Sequence, residues 1–224
     1  MPTSLLPILL LVGSYLMGSI PFGYIVVRLL KGVDIRTLGS GNIGMTNVWR
    51  ICGKGPGLAV FLLDVLKGAI PPLLASQWHL SSLYQVLAGL FAIIGHNYCV
   101  WLGFRGGKGI ATSAGALIGI APKVILPEFA VFFAVLLAFR YVSLASISIA
   151  IALPIWTALF YPHDSPRLFF SLAAGLLALY RHKPNMQRLR AGTEPRVPLR
   201  IPKRSAATAS SVDDATSSDP SQSP

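Results

Sequence analysis

The chain has 224 residues, of which 53% are hydrophobic and only 12% charged, with a formal net charge of +11. Its mean hydropathy of +0.62 lies outside the soluble range, and its apolar runs are long enough to cross a bilayer. A soluble protein this basic would point to nucleic acid; here the cations cluster between apolar segments, so no nucleic-acid partner is expected and the lipid bilayer takes that place.

In chain order the apolar runs predict seven spans, at about 5–29, 57–77, 83–102, 111–121, 124–139, 142–160 and 168–180. The expected fold is an all-α integral membrane protein of about seven transmembrane helices, some short or broken. The fourth run is too short for a straight crossing, and only Pro122 and Lys123 separate it from the fifth. Together they make two short helices or one bent excursion. Met1-Pro-Thr-Ser4 has no basic stretch and no small-residue cleavage site follows, so the first span reads as a retained helix.

Lysine and arginine set the orientation. With the N-terminus outside, inner segments hold Arg28, Lys31, Arg36, Arg50, Lys54, Arg105, Lys108 and Arg140, and Arg181 through Arg204 add eight more. The outer segments keep Lys123 and Arg167. The C-terminus is therefore expected in the cytoplasm. Cys52 and Cys99 fall near that reducing side, where a disulfide or metal site is improbable. Residues 1–203 read as a multi-spanning membrane domain and 204–224, rich in Ser, Thr and Ala, as a disordered tail.

Two glycine-rich polar stretches interrupt the apolar pattern: Leu38–Arg50 (LGSGNIGMTNVWR) and Gly103–Thr112 (GFRGGKGIAT). Glycine lets backbone amides converge on one point, which an anion naturally occupies. In the first stretch Gly39, Gly41, Ser40, Asn42, Thr46 and Asn47 supply backbone, hydroxyl and amide groups, and Arg50 a planar fork suited to phosphate. In the second, Lys108 is a point charge flanked by Gly106, Gly107 and Gly109.

Two familiar motifs are decoys. Gly39–Gly44 matches G-x-G-x-x-G with Asp64 downstream, but a membrane helix precedes it where a dinucleotide fold needs a strand. Lys108 is followed by Gly109 rather than Ser or Thr, and Leu102 stands where a P-loop needs its first glycine.

A third polar segment, Arg181–Glu194, faces the same side and contains His182 and Asn185, which are neighbours if the last helix continues through them. Pro184 perturbs that helix. Asp64 and Lys67 lie one turn apart inside the second span and can neutralise each other, a structural role. His96 closes the third span, and Arg140 has Ser143 and Ser146 for company.

These segments resemble a known family. Gly18–Gly23 (GSIPFG), Leu38–Arg50, Gly95–Tyr98 (GHNY), Gly106–Thr112, His182–Glu194, Asp64–Gly68 (DVLKG) and Arg140–Ser143 together are similar to the bacterial acyl-phosphate:glycerol-3-phosphate acyltransferases of the PlsY type. The resemblance implies a cytoplasm-facing active site in the bacterial inner membrane. It also implies transfer of a fatty acyl group from acyl phosphate to the sn-1 hydroxyl of glycerol 3-phosphate. No acyl-CoA, carrier protein, metal or organic cofactor is expected, and a separate upstream enzyme would make the acyl phosphate. By position, Ser40, Arg50, His182 and Asn185 match catalytic positions, and Lys108 with its glycines the glycerol-phosphate-binding motif. Asp64, Lys67, His96, Arg140 and Glu194 match supporting ones, and Ser143 joins the binding set. Met45 stands where Ala is usual and Phe139 where Thr or Ser is commoner. The H-x-x-x-x-D pair of other glycerolipid acyltransferases is absent: Tyr84, Trp101, Leu168 and Gln187 follow the four histidines at that distance. The proton of the attacking hydroxyl would go to His182 or to a donor phosphate oxygen. A phosphate transporter would instead show two similar halves, but the glycine-rich stretches share composition without spacing.

Overall fold

The structure, a computed structural model, describes residues 5–197; the expected disordered tail lies outside them. The described residues contain helices and no strand. In order they are α1 (Leu5–Gly18), α2 (Phe22–Lys31), α3 (Met45–Cys52), α4 (Lys54–Gln77), α5 (Ser82–Asn97), α6 (Ile110–Ile120), α7 (Ile125–Phe139), α8 (Val142–Phe160), α9 (Ser165–Arg181) and α10 (Lys183–Arg190). Five segments are long and apolar enough to cross a membrane: Leu5–Lys31, Lys54–Gln77, Ser82–Leu102, Pro122–Phe139 and Val142–Phe160. α6 and α9 are shorter.

The expected first span is two helices. Pro21, which has no N–H, stands before α2, and at the break Lys67 Nζ donates to the Ile20 carbonyl at 2.7 Å. The same ammonium pairs with Asp64 Oδ1 at 2.8 Å and lies 5.4 Å from the centre of the Phe22 ring. The buried charge pair thus pins a broken helix to α4, which tolerates two ions in an apolar setting because both are partnered.

α4 packs on α6 and α1 on α5 at backbone distance. A Cβ on Gly68 would strike the Thr112 carbonyl, and one on Gly115 the Val65 carbonyl. Gly18 and Gly95 have the same relation to Ala92 and Tyr15. Without a hydrophobic force between helices in lipid, such close contact is what holds them. Val86, Leu90, Ile93, Ile120 and Phe170 fill the core among α5, α6 and α9. A short 3-10 turn, Pro122–Val124, separates α6 from α7, which settles the fourth and fifth runs as two helices. Only 11% of the span containing α7 is buried, so this helix turns most of its apolar surface away from the rest of the protein.

Candidate active site

In the first glycine-rich stretch, Gly39 and Gly41 take left-handed conformations (φ 58° and 68°) that fold the chain around Asn47, buried in the first turn of α3. Asn47 Oδ1 accepts from the Ser40 amide at 3.0 Å, and its Nδ2 donates to the carbonyls of Leu38 (3.0 Å) and Asn42 (2.9 Å). Asn42 Oδ1 accepts from the Gly44 amide at 2.8 Å. Both Asn47 donors are therefore spent on shaping the loop. Ser40, Thr46 and Arg50 line a cavity, and Arg50 has no hydrogen-bond partner among the described residues.

The second stretch differs from the anion cradle expected of it. The amides of Gly106 and Gly107 donate to the carbonyls of Asn97 (3.2 Å) and His96 (2.9 Å). Their own carbonyls accept from Arg181. A Cβ on Gly107 would run into the His96 ring, so the close approach these glycines allow is to protein. Neither they nor Gly41 lines the cavity, whereas Gly109 and Lys108 do.

In the third segment α9 stops at Arg181 and α10 restarts with Pro184 in its first turn, leaving His182 at the junction (φ −95°, ψ 3°). The last span does not continue straight, yet His182 and Asn185 both remain buried on the cavity wall. His182 Nδ1 lies 2.8 Å from the Ala178 carbonyl. A carbonyl only accepts, so Nδ1 carries the proton and Nε2 keeps its lone pair. Burial and the Lys108 charge push this imidazole down to about 4.

Asn185 joins two of the stretches. Its Oδ1 accepts from Lys108 Nζ at 2.5 Å, and its Nδ2 donates to Glu194 Oε1 at 2.7 Å. Glu194 Oε2 in turn pairs with Arg188 Nε at 2.7 Å. Burial alone would raise the Glu194 carboxyl, but Ser143, Asn185 and Arg188 lower it below the usual range. Lys108 is pushed down to about 8 by burial, with Glu194 opposing and Arg188, Arg181 and Arg50 adding to the shift.

The cavity holds about 350 Å³. Asp64 and His96 also line it, their side chains 3.6 Å apart, and Phe61, Ile110, Phe132 and Val142 form an apolar wall. Lys67 and Arg140 lie outside it. Arg140 turns from Ser143 and Ser146 and donates Nη2 (2.8 Å) and Nε (3.1 Å) to the Val197 carbonyl, strapping the chain after Glu194 to α8's start. Sequence reading passed over Arg188, although it stands three residues after Asn185 and so shares its helix face. Arg181, Phe61 and Phe132 were also passed over, and nothing in their local sequence marks them.

Three segments scattered through the chain thus converge on one polar cavity with an apolar wall. The family model described as glycerol-3-phosphate acyltransferase matches residues 8–192. The chain belongs to the glycerol-3-phosphate acyltransferase family. A glycerol-3-phosphate acyltransferase of Parasynechococcus marenigrum (strain WH8102) is 50% identical over 196 residues, covering 88% of this chain and 92% of that protein. One from Desulforamulus reducens is 44% identical, covering 84% of this chain and 93% of that protein. The crystal structure of PlsY (YgiH), an integral membrane glycerol 3-phosphate acyltransferase, in its glycerol 3-phosphate form superposes with a TM-score of 0.82. The identity is 42%, over 86% of this chain and 96% of that one. Its lysophosphatidic acid form gives a TM-score of 0.79 at 41% identity, over 86% and 95%. This member of the acyltransferase family is accordingly a multi-pass integral membrane protein.

Proposed function

We propose that the protein transfers a fatty acyl group from acyl phosphate to the sn-1 hydroxyl of glycerol 3-phosphate, releasing lysophosphatidic acid and phosphate. The observation that carries this reading is the convergence of Arg50, Lys108 and His182 on one cavity with an apolar wall. The glycerol 3-phosphate form of the solved neighbour supports the acceptor. Acyl phosphate is an activated mixed anhydride, so no covalent nucleophile is needed. The task is to hold two anions together and offset their charge. Arg50 on α3, which has no hydrogen-bond partner among the described residues, and Lys108 in the loop before α6 offer two cations for two phosphates.

The acceptor hydroxyl oxygen attacks the acyl carbonyl carbon, the ester C–O bond forms, and the C–O bond to phosphate breaks. His182 Nε2 accepts a hydrogen bond from that hydroxyl and orients it. Burial and the neighbouring Lys108 charge both lower the basicity of this imidazole, which favours transfer of the proton to the departing phosphate. The acyl chain lies along Phe61, Ile110, Phe132 and Val142, where burial contributes about 0.8 kcal/mol per CH₂.

In this reading α6 and α9 complete seven crossings, with the N-terminus outside and the cavity facing the cytoplasm of the bacterial inner membrane. The distribution of Lys and Arg supports that orientation. A separate enzyme supplies the acyl phosphate. The test is to offer the purified protein glycerol 3-phosphate with either acyl phosphate or acyl-CoA of one chain length. Product from acyl phosphate alone is expected, and product from acyl-CoA alone would overturn the donor assignment.

A further inference from the structure

The main chain just before Lys108 is gripped from two sides. From α5, the carbonyls of Asn97 and His96 accept the Gly106 and Gly107 amides. From the end of α9, Arg181 Nη2 donates to the Gly106 carbonyl and Nε to the Gly107 carbonyl, each at 3.0 Å. The Arg181 guanidinium also lies 5.4 Å from the centre of the Tyr98 ring. Its fork, the group best suited to a phosphate, is thereby spent on protein carbonyls, and Arg181 does not line the cavity.

We infer that Arg181 is a positioning residue, which locks the second glycine-rich loop so that Lys108 stands beside His182 and Asn185, and that it is not a phosphate ligand. The inference rests on the acyltransferase reading above. Consecutive glycines leave a main chain with wide conformational freedom, and without the clamp Lys108 would have to be ordered at each binding event. A rigid guanidinium spans two adjacent carbonyls; an ammonium at the same place is a single point of contact. Because Arg181 directly precedes His182, the same clamp registers the acceptor-orienting imidazole against the lysine. Lys108 is faced by Glu194, Arg188, Arg181 and Arg50, with Asn185 as its acceptor and His182 alongside. Removing the Arg181 charge therefore also raises the Lys108 pKa.

The test uses the full chain in lipid nanodiscs, comparing wild type with Arg181→Lys and Arg181→Gln. Amide exchange of the 103–110 peptide and equilibrium titration with glycerol 3-phosphate are measured from about pH 7 to about pH 10, across the lysine range. Both variants are expected to speed exchange of that peptide several-fold and to weaken binding by about tenfold at neutral pH. In Arg181→Lys the alkaline loss of affinity stays near its wild-type pH, whereas in Arg181→Gln it moves higher. Unchanged exchange in both variants would overturn the inference. So would wild-type affinity in Arg181→Lys with weak binding in Arg181→Gln, the pattern of a direct charge contact. A wild type that does not bind glycerol 3-phosphate would overturn the acyltransferase reading and this inference with it. Binding without acyl transfer from acyl phosphate would overturn the donor assignment alone, and the exchange and affinity comparison would still decide on Arg181.

Discussion

Lys108 and Asn185, 77 residues apart in the chain, meet through a 2.5 Å hydrogen bond from the ammonium to the carboxamide oxygen. Through it the second glycine-rich stretch is joined to the segment beyond α9, and Glu194 and Arg188 extend the chain of polar contacts. Lys108, Asn185, Glu194 and Arg188 thus form a single connected network, and partly satisfied networks of this kind are costly.

Replacing Lys108 by Ala removes a charged donor at the cavity wall. A charge-assisted hydrogen bond contributes about 1.5–3 kcal/mol, so the KM for glycerol 3-phosphate should rise roughly tenfold to a hundredfold. Steady-state kinetics with acyl phosphate held saturating measures this. A KM at the wild-type value would show that Lys108 does not contact the acceptor.

Lys108, pushed down to about 8, is fully charged well below that pH and loses its charge as pH rises through it. The KM for glycerol 3-phosphate should therefore climb above about pH 8 in wild type. This alkaline rise should vanish in Lys108→Ala, whose KM is already high. His182, near 4, stays neutral across the working range. The NMR signal of its labelled ring should not move between about pH 5 and 8; a titration near 6.5 would contradict the orienting role, which needs a neutral ring.

Glu194 accepts from Asn185 and Arg188 at once. Glu194→Ala leaves both donors without that acceptor, at a cost of about 1–3 kcal/mol, and should lower the melting temperature as well as activity. Glu194→Gln keeps an oxygen acceptor and should retain more of both. Equal losses in the two variants would mean that the charge rather than the hydrogen bonds matters.

Gly68→Ala should disturb folding without touching substrate. Its added methyl group meets the Thr112 carbonyl, so α4 and α6 must separate, and overpacking of this kind typically costs about 1–3 kcal/mol. A lowered thermal midpoint in detergent is expected, and an unchanged midpoint would show that the two helices are not in backbone contact.

The apolar runs announced most of the helices because a bilayer demands long unbroken hydrophobic stretches, and the Asp64–Lys67 pair was legible from helical spacing. Three things were not. The break at Ser19–Pro21 lies within a stretch that is apolar on both sides, and what stabilises it, Lys67, is 47 residues away from the Ile20 carbonyl. The short helices α3 and α10 have eight residues each, too few for a helical periodicity to be read. The glycines at 106 and 107 correctly signal close approach, but sequence does not say to what, and the partners are His96, Asn97 and Arg181.

The most direct test of the central claim is product stoichiometry. Purified protein in lipid mesophase is given acyl phosphate and glycerol 3-phosphate, and released phosphate and lysophosphatidic acid are measured together. The account predicts equal amounts of the two, with the acyl group on the sn-1 oxygen and both products lost when glycerol 3-phosphate is omitted. Phosphate released without lysophosphatidic acid, or acylation that proceeds only from acyl-CoA, would contradict it.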